Sequence, residues 1–381
     1  MDFELGPEER ELAERVRAFA AEALAPRYQA DHRAGRLGDG LHAALAGAGL
    51  MGLRIPRDHG GLEVGAVATG AALEAMARAN FNACYLVLNA ALISDILVAN
   101  GDERQRPAWL EPLAGGEVVP ALCLTEPAHG SDAASIELEG RRDGDGWRLV
   151  GEKASVALGV YAHRAVVFAR TGGPGARGVT AFWVPLDDAF VERRPYDDVG
   201  NRAVGRAALT FDGLRAGPED VIGGEGLGFV QVMRGFDYSR ALIGLMCLAA
   251  ASASVDEALE HARTRQAFGQ PIGRFQAVSF PLVEYATQLR AARLLCFQAL
   301  WLKDRGQPHT IEANMAKWWA PRLSVDAAHQ ALLTFGHHGW SEELPLAQRM
   351  RDVMGLEIGD GTAQITKLVV ARALLGREAA P

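Results

Sequence analysis

The chain is 381 residues long, about two to three times a typical domain, so more than one hydrophobic core is expected. Apolar residues make up 49% and charged residues 23%, the balance of a globular chain rather than a disordered one. A formal net charge of -8 leaves no basic field for wrapping nucleic acid, and no apolar run reads as a membrane span.

Cys84, Cys123, Cys247 and Cys296 stand apart with no C-x-x-C pair, which excludes the usual zinc and disulfide frameworks. The first residues are charged and amphipathic rather than a leader with an apolar centre, so a reducing, cytoplasmic setting is expected.

The first segment, 1–118, reads as helical. Pro7-Glu8-Glu9 is a helix entry, with proline in the first turn and acids at the positive end of the dipole. Leu12, Val16, Phe19 and Ala23 follow at helical spacing, and Pro26 is expected to close the pattern. Further helices are expected over Gly40–Ala48, Ala66–Asn80, Asn82–Ala99 and Glu103–Leu113.

The segment 119–228 is different. Short β-rich runs at Trp147–Val150, Ala165–Ala169, Thr180–Val184 and Ala207–Phe211 are separated by glycine-rich turns, which predicts an antiparallel sheet closed as a barrel or sandwich. Over 229–381 the helical period returns at Ala249–Arg263, Phe275–Asp304, Thr310–Leu333 and Ile365–Leu375. Helices, then sheet, then helices give an α+β fold.

Three stretches stand out. Cys123-Leu-Thr-Glu-Pro-Ala-His-Gly-Ser-Asp132 begins as a strand and ends in a turn rich in hydroxyl and backbone donors, fit for a polar ring edge or a phosphate; a plain polar turn is the simpler reading. Arg265-Gln-Ala-Phe-Gly-Gln-Pro-Ile-Gly-Arg-Phe-Gln276 turns one helix into the next, with Arg265 free to meet an anion or only solvent. Leu356-Glu-Ile-Gly-Asp-Gly-Thr-Ala-Gln364 places Asp360 between two glycines, so the backbone can approach a ligand closely beside a carboxylate; an N-capping acid is the commoner use.

In this order the three resemble the T-E-P-x-A-G-S-D, R-x-x-F-G-x-x-I-x-x-x-Q and Y-E-G-T motifs of the acyl-CoA dehydrogenase family. Ile55-Pro-Arg-Asp-His-Gly-Gly61, Gly224–Phe229, Phe236–Arg240 and Arg351-Asp352 add lesser landmarks, so the resemblance spans the chain. It implies an N-terminal helical domain, a middle β-barrel and a C-terminal four-helix bundle. It also implies FAD as cofactor, an acyl-CoA or acyl-carrier-protein thioester as substrate, an electron-transferring flavoprotein as acceptor, and a homotetramer or dimer.

The resemblance further assigns residues. Leu122, Leu124, Thr125 and Ser131 match positions around the flavin and substrate entrance, and Ser155 and Ala157 match positions flanking the flavin ring. Arg265, Phe268 and Gln276 match residues that reach a neighbouring subunit's FAD. Leu333 and His337 match further FAD neighbours, and Gly361, Thr362 and Gln364 match the loop near the cofactor's phosphates and the substrate. Asp237 and Arg240 match a helix bordering the pantetheine arm. Asp360 matches the base that takes the α-proton while hydride leaves the β-carbon, and its own backbone N–H would help hold the thioester oxygen.

Several positions depart from the family pattern. Asp360 stands where Glu is usual, a side chain shorter by one C–C bond, about 1.5 Å. Ser239 occupies the family's other base position, which closes that route. Ser94 and Asp95 align with the helix lining the acyl pocket, so Asp95 is a second candidate acid. An acid there would disfavour a plain alkyl tail and points to an alicyclic acyl group such as cyclohexanecarboxyl or cyclohexenecarboxyl.

Ser155 and Ala157 replace a flavin-flanking Trp and a Thr. That keeps open an acyl-carrier-protein dehydrogenase or an oxygen-using flavoenzyme, and beyond it a non-catalytic relative. His337-His338 reads as a helix end rather than a metal site, since adjacent side chains point apart.

Overall fold

The computed structural model describes residues 4–376 and 378–381. Helix α1 (Pro7–Phe19) buries Leu12, Ala13 and Val16. It does not stop at Pro26. A π-helical turn over Ala20–Leu24 and a 3-10 turn over Ala25–Arg27 carry the chain into α2 (Tyr28–Ala34), and Pro26 sits in the first turn of the new piece, where its missing N–H costs nothing. Then come α3 (Leu41–Gly47), α4 (Ala66–Ala77), α5 (Cys84–Asn100) and α6 (Gln105–Ala114). Helices α4 and α5 are apolar nearly all round and are buried nearly all round.

Seven strands follow: β1 (Pro120–Cys123), β2 (Glu139–Asp143), β3 (Gly146–Val156), β4 (Arg164–Arg170), β5 (Val179–Pro185), β6 (Val191–Pro195) and β7 (Ala207–Ala216). They form one sheet ordered β1-β4-β2-β3-β7-β6, with β5 beside β4. The expectation of purely antiparallel pairing is corrected here, because β4 pairs in parallel with β1 and, at one position, with β2. The excursion from β1 to β4 runs through β2 and β3, and that from β2 to β4 through β3, each long enough to return the chain in the same direction without an α-helix.

Strand β4 is buried on both sides. Ala165, Val167 and Ala169 join the sheet's own core, while Val166 and Phe168 join the helical core. Such double coverage erases the alternating pattern and leaves a continuous apolar run.

The C-terminal part is α7 (Gly228–Thr264), a short hairpin of β8 (Gln266–Ala267) and β9 (Gln270–Pro271), α8 (Gln276–Asp304), α9 (Thr310–Phe335), α10 (Leu346–Met354) and α11 (Ala363–Leu375). Helix α7 starts at Gly228 rather than Ala249, and its stretch Tyr238–Ala251 is buried on every side, which leaves no helical period there. It is the one helix among the described residues long and apolar enough to cross a membrane, but 78% of its most apolar window lies inside the protein, packed against α8 and α9. Asp352 ties the three parts together, accepting from Tyr28 Oη and Asn82 Nδ2, each at 2.8 Å, and from the Asn201 backbone N–H.

Candidate active site

The loop between α10 and α11 carries Asp360. Its φ of 55° puts a non-glycine residue in the left-handed region, a conformation that persists only when the surroundings impose it. Three side chains do so. Ser239 Oγ, on α7, donates to Asp360 Oδ2 at 2.7 Å. Arg240 Nε donates to the Asp360 carbonyl at 3.1 Å. Lys317 Nζ, from α9, donates to the carbonyls of Leu356 at 2.7 Å and Gly361 at 3.0 Å, on either side of the acid.

Gly361 follows with φ 101°, and a Cβ there would come within 3.3 Å of the Arg240 guanidinium. Glycine is favoured there on conformational grounds, and a Cβ would displace the Arg240 side chain by a few tenths of an ångström. Thr362 caps α11, its hydroxyl accepting from the Ile365 N–H at 3.3 Å, and the half-buried Thr362 and exposed Gln364 stand at that helix's positive end.

Arg240 is also held by Asp237, with Nη1 to Oδ1 at 3.2 Å, and Asp237 in turn accepts from Thr310 Oγ1 at 2.6 Å. The two residues expected at the pantetheine arm thus stand in one network with the base loop.

The strand-end group assembles from β1 and β3. The Ala154 N–H donates to the Thr125 carbonyl at 2.7 Å, and Lys153 Nζ donates to the Leu124 carbonyl at 3.0 Å and to Glu126 Oε1 at 2.8 Å. Burial without water lowers the Lys153 pKa to about 8 despite that carboxylate. Glu126 also accepts from the Glu137 and Leu138 N–H groups. The turn's own polar demands are met internally, and the hydroxyls of half-buried Thr125 and exposed Ser131 have no hydrogen-bond partner among the described residues. Leu122 and Ala157 are half-buried beside them and Leu124 is buried. Ser155, exposed with φ 58°, accepts from Arg206 Nη1 at 3.1 Å.

Other predicted residues are not brought to this place within one chain. Arg265, Phe268 and Gln276 lie around the β8–β9 hairpin; Phe268 is 96% exposed and has φ 50°. Leu333 and His337 are exposed at the end of α9, where the His337 and His338 rings lie 4.0 Å apart. No cluster of potential metal ligands occurs among the described residues.

Ser94 is fully buried, and its hydroxyl is unpaired. Asp95 is held by Arg54 Nη2 at 3.0 Å and Lys303 Nζ at 2.8 Å. Both cations lie over the Tyr238 ring, at 5.5 and 4.7 Å from its centroid. The Asp95 carboxylate is occupied by these two cations, one on each oxygen.

Two contributors escaped the sequence reading. Lys317 occupies the buried stripe of α9 that runs through Ala313, Ala316 and Ala320. A lysine at an apolar position of the helical period was the available signal. Ser239 was read only as a missing base, not as the partner of Asp360.

Profiles of the N-terminal, middle and C-terminal domains of acyl-CoA dehydrogenase match residues 6–117, 121–214 and 226–375. The chain belongs to the acyl-CoA dehydrogenase family. It is 32% identical to a probable acyl-CoA dehydrogenase of Bacillus subtilis over 98% of this chain and all of that one. It is 35% identical to the mitochondrial short-chain specific acyl-CoA dehydrogenase of Bos taurus, over 86% of this chain and 80% of the relative. The structure of butyryl-CoA dehydrogenase from Megasphaera elsdenii superposes with a TM-score of 0.95 at 28% identity, over 98% of this chain and all of that chain.

The family is one of FAD oxidoreductases acting on CH–CH bonds of acyl thioesters, and FAD is the cofactor. The residues present fit it: the unpaired hydroxyls of Thr125 and Ser131 at a strand end are suited to a polar ring edge, and the α11 N-terminus is suited to phosphate.

Proposed function

We propose that this acyl-CoA dehydrogenase uses Asp360 to take the α-proton of a compact acyl thioester. The observation that carries this reading is the Asp360 loop, held from three sides with its carboxylate fixed by Ser239. When bound, FAD would supply the acceptor for the β-hydrogen and its electron pair, and Asp360 would take the α-proton as the C–C bond becomes a double bond. Thr125, Ser131 and the start of α11 would hold it, with Arg265, Phe268 and Gln276 offered to the cofactor of another copy in a homotetramer.

Arg240 and Asp237 border the pantetheine arm in this reading. The left-handed turn at Asp360 orients its own N–H as a donor for the thioester oxygen, where negative charge builds up. The short Asp does not need Glu's reach, because Ser239 fixes the side chain from the α7 side.

Asp95 is not proposed as a second base, since Arg54 and Lys303 occupy it. The alicyclic expectation loses that support. A compact acyl group, alicyclic or short-chain, remains the substrate class, carried on CoA, with an electron-transferring flavoprotein as acceptor in the cytoplasm. The second reading, a carrier-protein substrate or oxygen as acceptor, is favoured by Ser155 and Ala157 beside the flavin position.

The test is anaerobic absorbance of the yellow holoenzyme with cyclohexanecarboxyl-, cyclohexenecarboxyl-, butyryl- and octanoyl-CoA. Bleaching by a compact thioester, abolished in Asp360→Asn with FAD retained, is expected. Retained bleaching in that variant removes Asp360 as the base, and bleaching by acyl-carrier-protein thioesters alone shifts the weight to the second reading.

A further inference from the structure

Helix α5 is apolar except at a few places, and Tyr85 and Asn89 are one turn apart on the same face. Between Cys84 and Ser94 the helix is sealed, with 0% exposure at Val87, Ala90 and Ile93, yet Tyr85 and Asn89 each keep 8%. Leu88 and Leu92, at 4%, continue the same face. The residual accessibility therefore follows the helical period, as it does when one side of a buried helix borders an internal space.

That face points to the base. Further along it, Leu92 Cδ1 would meet a Cβ on Gly235 of α7 at 2.9 Å, and Ser239, one turn beyond Gly235, holds Asp360. Tyr85 lies within electrostatic reach of Asp360 and Asp352, and Arg206, which binds Ser155 beside the flavin position, lies within reach of Tyr85.

The polar atoms on this face are unused. Among the described residues the Tyr85 hydroxyl has no hydrogen-bond partner. Asn89 makes a single long bond, Nδ2 to the Pro120 carbonyl at 3.4 Å, and its Oδ1 accepts none. Neither atom is sealed from solvent, so both stay open to that space, and a ligand that fills it without supplying their bonds would bury them unpaired at a cost.

The chemistry of the pair narrows that ligand. Asn89 Oδ1 can only accept, and a phenol both donates and accepts. The nearby cation, Arg206, is already neutralised by two hydrogen bonds to Asp198. With Asp352 and Asp360 within electrostatic reach of Tyr85, a carboxylate at the far end of the acyl group would be repelled.

We infer that Tyr85 and Asn89 form a polar wall of the acyl site, selecting a compact acyl group whose far end bears a hydrogen-bond-donating O–H or N–H. This inference rests on Asp360 marking the acyl site. It moves the polarity of the wall from Asp95, where the sequence placed it, to the opposite end of the same helix.

The test separates the two readings. Dissociation constants are measured in Asp360→Asn holoenzyme from perturbation of the flavin absorbance, using 4-hydroxybutyryl-CoA, its near-isostere pentanoyl-CoA, and glutaryl-CoA. Bleaching is measured anaerobically in the unsubstituted holoenzyme. The hydroxyl compound should bind about tenfold or more tightly than pentanoyl-CoA, with glutaryl-CoA weakest. In Tyr85→Phe, which keeps the ring, that preference should fall below about threefold with pentanoyl binding unchanged.

Equal binding of the matched pair, no binding of any of the three, or a preference that survives both Tyr85→Phe and Asn89→Leu overturns the polar wall. If the preference holds while no thioester bleaches the enzyme, the wall stands and the dehydrogenation reading falls. If pentanoyl-CoA bleaches it as readily as its hydroxyl partner and binds equally, the reverse holds.

Discussion

Ser239 Oγ lies 2.7 Å from Asp360 Oδ2 and donates to it, joining the middle of α7 to the loop before α11. The bond fixes a short side chain where the α-proton will be. Displacement of about 1 Å costs on the order of 100-fold in rate. Ser239→Ala is therefore expected to slow flavin reduction by about tenfold with thioester affinity nearly unchanged, measured by anaerobic stopped flow. A faster variant would mean that the hydroxyl only restrains the base.

Asp95 should matter to stability and not to turnover. It neutralises Arg54 and Lys303, whose side chains are 20% and 17% exposed. Asp95→Asn leaves both cations without this anion, at a cost of roughly 2–3 kcal/mol in urea unfolding. The rate of flavin reduction should stay within about twofold. A large loss of rate at undiminished stability would restore Asp95 as a working acid.

Lys317 gives a pH prediction with a definite sign. Burial lowers its pKa from 10.5 to about 8; Asp360 and Glu357 of the loop oppose the shift, and Arg240 of α7 adds to it. Cys247 of α7 faces it as well. Between those two values the unfolded chain binds the proton and the folded one does not, so this group makes stability rise with pH. The slope is up to about 1.4 kcal/mol per pH unit. Urea unfolding of the holoenzyme between pH 8 and 10 should show a shallower rise, or a steeper fall, in Lys317→Met than in the parent chain. Parallel curves would show that the folded lysine keeps its proton throughout.

Phe268 is a surface aromatic in a left-handed turn, 96% exposed, and among the described residues its aromatic contact is an edge contact with Phe275, ring centroids 6.0 Å apart. Phe268→Ala should leave the unfolding midpoint of the separated chain within about 0.5 kcal/mol, as surface substitutions do. It should weaken assembly and FAD retention by about tenfold, read by sedimentation and by the flavin-to-protein absorbance ratio. Unaltered assembly and FAD content would release the hairpin from any role toward a second copy.

The sequence by itself determined the order of helices, sheet and helices, because amphipathic periods and glycine-rich turns are local properties that survive in the one-dimensional pattern. It also determined the Asp360 loop, since two glycines around an acid state their backbone requirement directly. Elements buried on all sides were less legible. The middle of α7, Tyr238–Ala251, and both faces of β4 carry no period, because a segment covered everywhere has no polar side to mark its geometry.

Which charges meet was decided by the tertiary structure alone. Asp95 and Asp360 look alike as acids in a helix and a loop, but one meets two cations from distant segments while the other meets a serine hydroxyl. Lys303 is 208 residues from Asp95, and Ser239 is 121 from Asp360. Pairings across such separations depend on how whole helices pack, a sum of many small contacts that no short stretch of sequence contains.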